Sequence, residues 1–249
     1  MFETAVEAGI KKANMSALNQ FILGMLAGAF IAFGAQAANV VGSAVSNPLL
    51  AKFTAGLIFP TGLILVVCAG AELFTGNCLM SIAWLERKIS SLQILRSWLV
   101  VYIGNFAGGA LVAWLVSMSG QLSGPVAEYT VKVAVNKTSL TFLNAFVSGI
   151  LCNWLVCLAV WVSFGAKDTT GKILAVYFPI WLFVASGFEH SVANMYYITA
   201  GIIEGAPVSF AAMLTKNLVP VTLGNIVGGA GCVGFIYWLV LRKKAGTRK

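Results

Sequence analysis

The chain has 249 residues, of which 59% are hydrophobic and 10% are charged, and its mean hydropathy is +0.89. Since soluble domains carry about 25% charged residues, this composition excludes an ordinary soluble domain and predicts an integral membrane protein with one domain. The net charge of +8 follows a membrane topology, as shown below, so it does not indicate nucleic-acid binding.

The first predicted element is a short helix over residues 1–18. Phe2, Val6 and Ile10 recur at helical spacing, while glutamates and lysines occupy positions between them. This pattern is typical of an amphipathic helix on a membrane surface, and docking against a partner is the alternative. The first apolar run begins only after these residues and is long enough to span, so we expect no cleavable signal peptide.

Six apolar runs follow, each long enough to cross a bilayer core, which requires about 20 residues. They define a transmembrane channel domain over residues 19–241, followed by a basic cytoplasmic tail over 242–249. The longest predicted loop covers residues 119–140. The predicted spans are 21–41, 53–85, 98–118, 142–164, 173–203 and 218–241.

The basic residues orient these spans, because cytoplasmic segments carry an excess of lysine and arginine. With the N-terminus inside, the outer segments hold only four of the 16 basic residues. Both termini are therefore predicted to be cytoplasmic. The four outer residues are Lys52, Lys132, Lys137 and Lys216.

The second and fifth spans are too long for one straight crossing, and each contains a polar patch. The two patches match each other, and two further pairs of segments match in the same order along the chain. Three spans per repeat is an odd number, so the halves must be inverted, with a substrate path at the midplane. The sequence thus predicts an all-α membrane protein with six spans, an inverted 3+3 repeat, and broken second and fifth helices. The matching segments are GAELFTGN (70–77) with GFEHSVAN (187–194), IGNFAGG (103–109) with LGNIVGG (223–229), and FILGML (21–26) with FVSGIL (146–151).

The glycine pairs of the second match allow helix backbones to approach closely. Asn105 and Asn225 of the same segments are expected to bond to the broken spans, because a break exposes backbone groups that the protein must satisfy.

A helix that restarts inside the membrane presents free N–H groups and the positive end of its dipole. The restarts are predicted near Thr75 and Ser191, both good N-cap types, and two such ends facing the midplane favour an anion. His190 is the only histidine and has no counterpart in the other half. We therefore expect it to face a pore with Thr75; a hydrogen-bonded packing role is the alternative.

The charged residues near the breaks have two interpretations. Glu72 and Glu189 occupy equivalent repeat positions, which favours a structural role as acceptors for the backbone N–H groups of the broken loops; direct proton handling is the alternative. Asn77 and Asn194 end the two patches and are expected to share the structural role. Lys137 is expected to be a cation at the outer mouth that draws in anions, or else a solvated residue at the start of span four.

Cysteine usage gives no sign of a metal or redox site. The five cysteines fall in or beside apolar spans, form no CxxC pair and read as small packing residues. With one histidine and no cysteine cluster, no metal and no cofactor is expected.

Four motifs closely resemble those of the formate/nitrite transporter family, and the resemblance runs from about residue 21 to 241. It implies an aquaporin-like fold, a homopentamer with one pore per protomer, and passage of small monovalent anions or their acids through a bacterial or archaeal cytoplasmic membrane. The family includes formate, nitrite and hydrosulfide channels and lactate carriers, and the ELFTGN form looks more like formate-uptake or hydrosulfide members. Aquaporin NPA triplets are absent, so that likeness is one of shape. The motifs are GAELFTGN (70–77), NWLVCLAVW (153–161), ASGFEHSVANM (185–195) and PVTLGNIVGG (220–229).

The resemblance also implies roles for individual residues. His190 and Thr75 would form a central pair with Asn153 nearby, Lys137 would be the vestibule lysine, and Glu189 would hold the broken loop. The residues that would form two hydrophobic constrictions around the pair are Phe59, Leu63, Phe74 and Phe183.

These roles suggest how a monoacid would cross. A bare anion between apolar constrictions would carry a large desolvation cost, and low dielectric favours the neutral acid. We expect the anion to take a proton, from water or through His190, and to cross as the neutral acid; a channel for the bare anion with a charged His190 is the alternative. Formate is the expected substrate, with nitrite or hydrosulfide as alternatives and a neutral-solute pore as an alternative of another class. An enzyme would need a catalytic cluster or a long soluble segment. The sequence shows neither, so we do not expect an enzyme.

Overall fold

The structure, a computed structural model, describes residues 1–242, and the regular structure in this range is entirely helical. All but the first residue of the predicted tail 242–249 lie outside the described residues. We number the helices α1 (Phe2–Ala13), α2 (Ala17–Ser43), α3 (Pro48–Ile58), α4 (Thr61–Ala69), α5 (Phe74–Asn77), α6 (Met80–Leu85), α7 (Ser91–Met118), α8 (Gly124–Thr138), α9 (Phe142–Ser163), α10 (Thr169–Ser186), α11 (Ser191–Ile203) and α12 (Phe210–Leu241).

Six stretches of helix are long and apolar enough to cross a membrane, with mean hydropathies from 1.3 to 2.1. They are α2, α3 with α4, α7, α9, α10 and α12. The predicted six spans are therefore confirmed. Helix α12 contains two π-helical stretches, and the first ends just before Pro220, whose missing N–H cannot join the helix ladder.

The second and fifth spans are broken, as predicted. Helix α4 ends at Gly70 with φ +81° and α10 ends at Gly187 with φ +75°. This left-handed conformation ends a helix and is one that glycine adopts without a steric penalty. The chain then runs through three residues without helical structure before α5 and α11 begin.

Each half of the repeat contains one closely packed pair of long helices. Helix α2 lies along α7, and α9 lies along α12. A Cβ added at Gly108 would collide with the backbone oxygen of Met25, and one at Gly228 with that of Ile150. The glycine pairs therefore do permit close backbone approach, as predicted.

Helices α1 and α8 lie outside the six spans; the sequence predicted α1 but not α8. The buried residues of α1 pack against α6 of the same chain, so its amphipathic character serves an internal contact. The predicted loop 119–140 is wrong, because most of it forms α8. The missed signal was Pro125 in the first turn, a position that proline favours at a helix start.

Candidate functional site

The two breaks bring Thr75 and His190 together. Thr75 Oγ1 and His190 Nε2 lie 2.9 Å apart, and both side chains are buried. Thr75 is in the first turn of α5 and His190 directly precedes α11. The only histidine of the chain thus meets the hydroxyl of the other half-helix within the fold.

The hydrogen bonds of His190 define its protonation in this arrangement. Its Nδ1 accepts a hydrogen bond from the backbone N–H of Ala193 at 3.0 Å. A backbone N–H can only donate, so Nδ1 carries no proton and the ring proton is on Nε2. The imidazole is therefore neutral, and its Nε2–H donates to Thr75 Oγ1.

The half-helices begin at Phe74 and Ser191, as predicted, but their N-caps lie one or two residues before the expected cap residues. The caps are Leu73 for α5 and His190 for α11, rather than Thr75 and Ser191. The hydroxyl of Thr75 is instead used in the pair with His190. The first N–H of each half-helix, that of Phe74 or Ser191, donates to an asparagine side chain.

Two asparagines from the long helices satisfy the broken backbone. The Oδ1 of Asn105 accepts from the N–H of Phe74 at 2.9 Å, and its Nδ2 donates to the carbonyl of Glu72 at 2.9 Å. In the other half, Asn225 accepts from the N–H of Ser191 at 3.0 Å and donates to the carbonyl of Glu189 at 3.0 Å. Each amide also donates to a carbonyl of the neighbouring long helix, at 2.8 Å.

The two glutamates bind lysine and asparagine side chains. Lys12 Nζ donates to Glu72 at 2.7 Å, and Asn77 Nδ2 donates to the same carboxylate at 2.8 Å. The prediction that these carboxylates accept from loop N–H groups was wrong. Within residues 1–242, the backbone N–H groups of Glu72 and Glu189 donate instead to carbonyls of neighbouring helices, those of Leu23 and Ser148. The carboxylates instead tie each half-helix to a helix at the protein surface.

Glu189 repeats this arrangement on the opposite side. It accepts from Lys137 Nζ at 2.9 Å and from Asn194 Nδ2 at 2.6 Å. Asn217 Nδ2 adds a donor at 3.3 Å and also binds the carbonyl of Lys137. Lys137 is thus placed near the break by its pairing with Glu189.

Sequence reasoning missed Lys12 and Asn217. Lys12 was assigned only to the amphipathic helix, yet it occupies the place in one half that Lys137 has in the other. The signal was in the repeat, because Lys12 precedes FILGML by the same number of residues by which Lys137 precedes FVSGIL. Asn217 lies before the matched segment of its half, so the repeat gave no signal for it.

The four apolar side chains expected to form the constrictions are all buried. The rings of Phe59 and Phe183 meet edge to face at 5.6 Å, and Phe183 stacks on the His190 ring at 5.9 Å. Phe74 meets Tyr102 edge to face at 4.9 Å. Leu63 lies one turn beyond Phe59.

Two cavities lie next to the breaks: His190 lines one, and Leu73 and Gly76 of the second-span break line the other. The first, the α8 cavity, has a volume of about 320 Å³, and the second, the α1 cavity, has about 340 Å³. Phe59, Phe183 and His190 line the α8 cavity, whereas Leu63 lines the α1 cavity. The α8 cavity is further lined by Lys52, Lys137 and Glu189, and the α1 cavity by Lys11, Lys12 and Glu72.

Asn153 bonds to the backbone of Thr75, and within residues 1–242 no hydrogen bond joins it to the Thr75 hydroxyl. Its Nδ2 donates to the carbonyl of Thr75 at 3.2 Å and to that of Asn225 at 2.6 Å. It therefore joins the backbone of α5 to the backbone of α12. Within residues 1–242, no cluster of three or more His, Cys, Asp or Glu side chains is placed to hold a metal ion.

Known proteins share this architecture. The sequence model of the family described as "Formate/nitrite transporter" matches residues 1–239. The chain is 44% identical to an uncharacterised transporter, YrhG, of Bacillus subtilis, over 99% of this chain and 94% of the relative.

Solved structures superpose closely on it. An "FNT family ion channel" has a TM-score of 0.90 and 31% identity, covering 96% of this chain and 98% of the other. A "Pentameric formate channel with formate bound" has a TM-score of 0.81 and 35% identity, covering 91% of this chain and 98% of that one.

Proposed function

The chain belongs to the formate/nitrite transporter family, and we propose that it is a membrane channel for formate that carries the substrate across its constrictions as the neutral acid. The observation that carries this proposal is the buried Thr75–His190 pair, with Phe183 stacked on the His190 ring, one cavity lined by His190 and a second cavity lined by Leu73 and Gly76. The formate channel of known structure supports the choice of substrate.

The neutral state of His190 argues against a bare anion at the centre. An isolated carboxylate in an apolar site costs far more free energy than a hydrogen-bonded neutral group. The central pair holds no net charge that would offset this cost. Formic acid, by contrast, retains hydrogen-bond capacity that the hydroxyl and imidazole can satisfy.

The same geometry favours water as the proton source. A relay through the ring would require Nδ1 to take up a proton, but Nδ1 already faces the N–H of Ala193. We therefore propose that formate is protonated in the cavity it enters from, and that His190 and Thr75 hold the acid by hydrogen bonds. Transport is then linked to about one proton per formate.

The other predicted site residues form the constrictions, line a cavity or support the broken helices. Phe59, Leu63, Phe74 and Phe183 form the constrictions that exclude the anion, and Lys137 lines the cavity on one side. The residues that support the broken helices are Glu72, Glu189, Asn77, Asn194, Asn105, Asn225 and Asn153.

We further propose a homopentamer with one pore per protomer, by analogy with the pentameric neighbour. Residues 19–241 form the channel. The distribution of lysine and arginine supports cytoplasmic termini in a bacterial or archaeal cytoplasmic membrane. The α8 cavity then opens outside and the α1 cavity opens to the cytoplasm.

Uptake of labelled formate into proteoliposomes tests the function. We expect formate uptake to be faster at acidic external pH, because more of the substrate is then neutral. Excess nitrite or hydrosulfide, added at two pH values, reports whether either anion shares the path. Uptake that is independent of pH and unaffected by unlabelled formate would contradict the proposal and favour a neutral-solute pore.

A further inference from the structure

The α8 cavity has a positive charge that the salt bridge near the break does not neutralise. Three charged residues line it: Lys52, Lys137 and Glu189. Lys137 and Glu189 are joined at 2.9 Å, with side chains only 16% and 8% exposed. The ammonium of Lys137 is therefore already compensated, although the sequence suggested it as the residue that draws in anions.

Lys52 is the remaining cation of this cavity. It lies on α3 and is exposed, and within the described residues 1–242 it makes no hydrogen bond or salt bridge. Its Nζ lies close to the break of the fifth span: a Cβ added at Gly187 would be 3.3 Å from it. Gly187 is three residues before His190, so this ammonium lies over the segment that leads to the central pair.

The α1 cavity shows the same division of charge. Lys12 is joined to Glu72 at 2.7 Å, whereas Lys11, which also lines the cavity, is exposed and makes no salt bridge within residues 1–242. Among the described residues, each cavity thus has one lysine paired with a glutamate and one lysine that makes no salt bridge. The shared feature is a net charge of +1 next to an apolar constriction.

We propose that Lys52 is the group that binds the substrate anion in the α8 cavity, before the anion is protonated. The proposal rests on the proposed formate channel function. Lys137 is then a positioning residue that holds the break through Glu189. Formate that pairs with Lys52 lies in water near Gly187, from which the neutral acid moves past Phe59 and Phe183.

The test uses right-side-out membrane vesicles from a bacterial host that lacks formate channels. We expect Lys52→Gln to raise the KM for formate uptake roughly fivefold, the size of one unit-charge contact in water, with the maximal rate unchanged. Raising the ionic strength should raise the KM of the wild type and have little effect on that of the variant, because salt screens exposed charges. Lys52→Arg should retain the wild-type KM.

The matched control is Lys132→Gln on α8, an exposed lysine that does not line the cavity. It should leave the KM unchanged. A KM for Lys52→Gln within twofold of the wild type would overturn the proposal, as would an equal rise for Lys132→Gln. If wild-type vesicles take up no formate at all, the proposed function fails instead.

Discussion

Replacing His190 with phenylalanine is expected to lower formate flux by about 100-fold or more. The change removes the Nε2–H that meets Thr75 and places an apolar ring next to the hydroxyl. Leaving one polar group without its hydrogen bond in an apolar site costs about 3 kcal/mol or more. The measurement is the initial rate of formate uptake by purified protein in proteoliposomes.

His190→Asn is the control for this change. Asparagine is a good N-cap, so it can replace Nδ1 as acceptor for the N–H of Ala193 and still present a polar amide to the path. We expect measurable flux that keeps its dependence on external pH. Undiminished flux in His190→Phe would remove the residue from the pathway, and loss of pH dependence in His190→Asn would show that the proton passes through the ring.

Replacing Asn225 with leucine is expected to destabilise the folded protein by several kcal/mol. The substitution leaves the N–H of Ser191 and the carbonyls of Gly149 and Glu189 without this partner. Each buried group left unsatisfied costs about 1–3 kcal/mol, against a total stability of about 5–15 kcal/mol. The measurement is thermal unfolding of detergent-solubilised protein, together with its recovery as folded material.

The repeat supplies a second variant and the surface supplies a control. Asn105→Leu removes the equivalent bonds in the other half and should have an effect of similar size. Asn144→Leu changes an exposed asparagine on α9 and should be nearly neutral. Unfolding of Asn225→Leu at the wild-type temperature would show that the broken segment does not depend on this side chain.

The broken helices were predictable because they depend on local chemistry. A glycine, a glutamate and an asparagine at the same spacing in two long apolar spans mark a helix that must end and restart. Asn105 and Asn225 were also within reach of the sequence, because a break in lipid needs donors and acceptors from neighbouring helices. Their bonds to Phe74 and Ser191 are the kind of contact that was expected.

Features that depend on packing were not predictable. The sequence does not show that Thr75 lies in the first turn of α5 or that His190 caps α11. Both depend on how the two half-helices are placed relative to each other in the folded chain. Nor does the sequence show that Lys137 is bound to Glu189, while Lys52 makes no hydrogen bond or salt bridge within residues 1–242. Helix α8 was missed, although Pro125 marks its first turn, because its 15 residues and three charges do not match a membrane span.

The electrical nature of transport tests the central claim that the neutral acid crosses the constrictions. Formate is added outside proteoliposomes that contain a pH indicator, and current and internal pH are recorded together. We predict internal acidification by about one proton per formate with no membrane current. A large formate current without a change in internal pH would contradict the account.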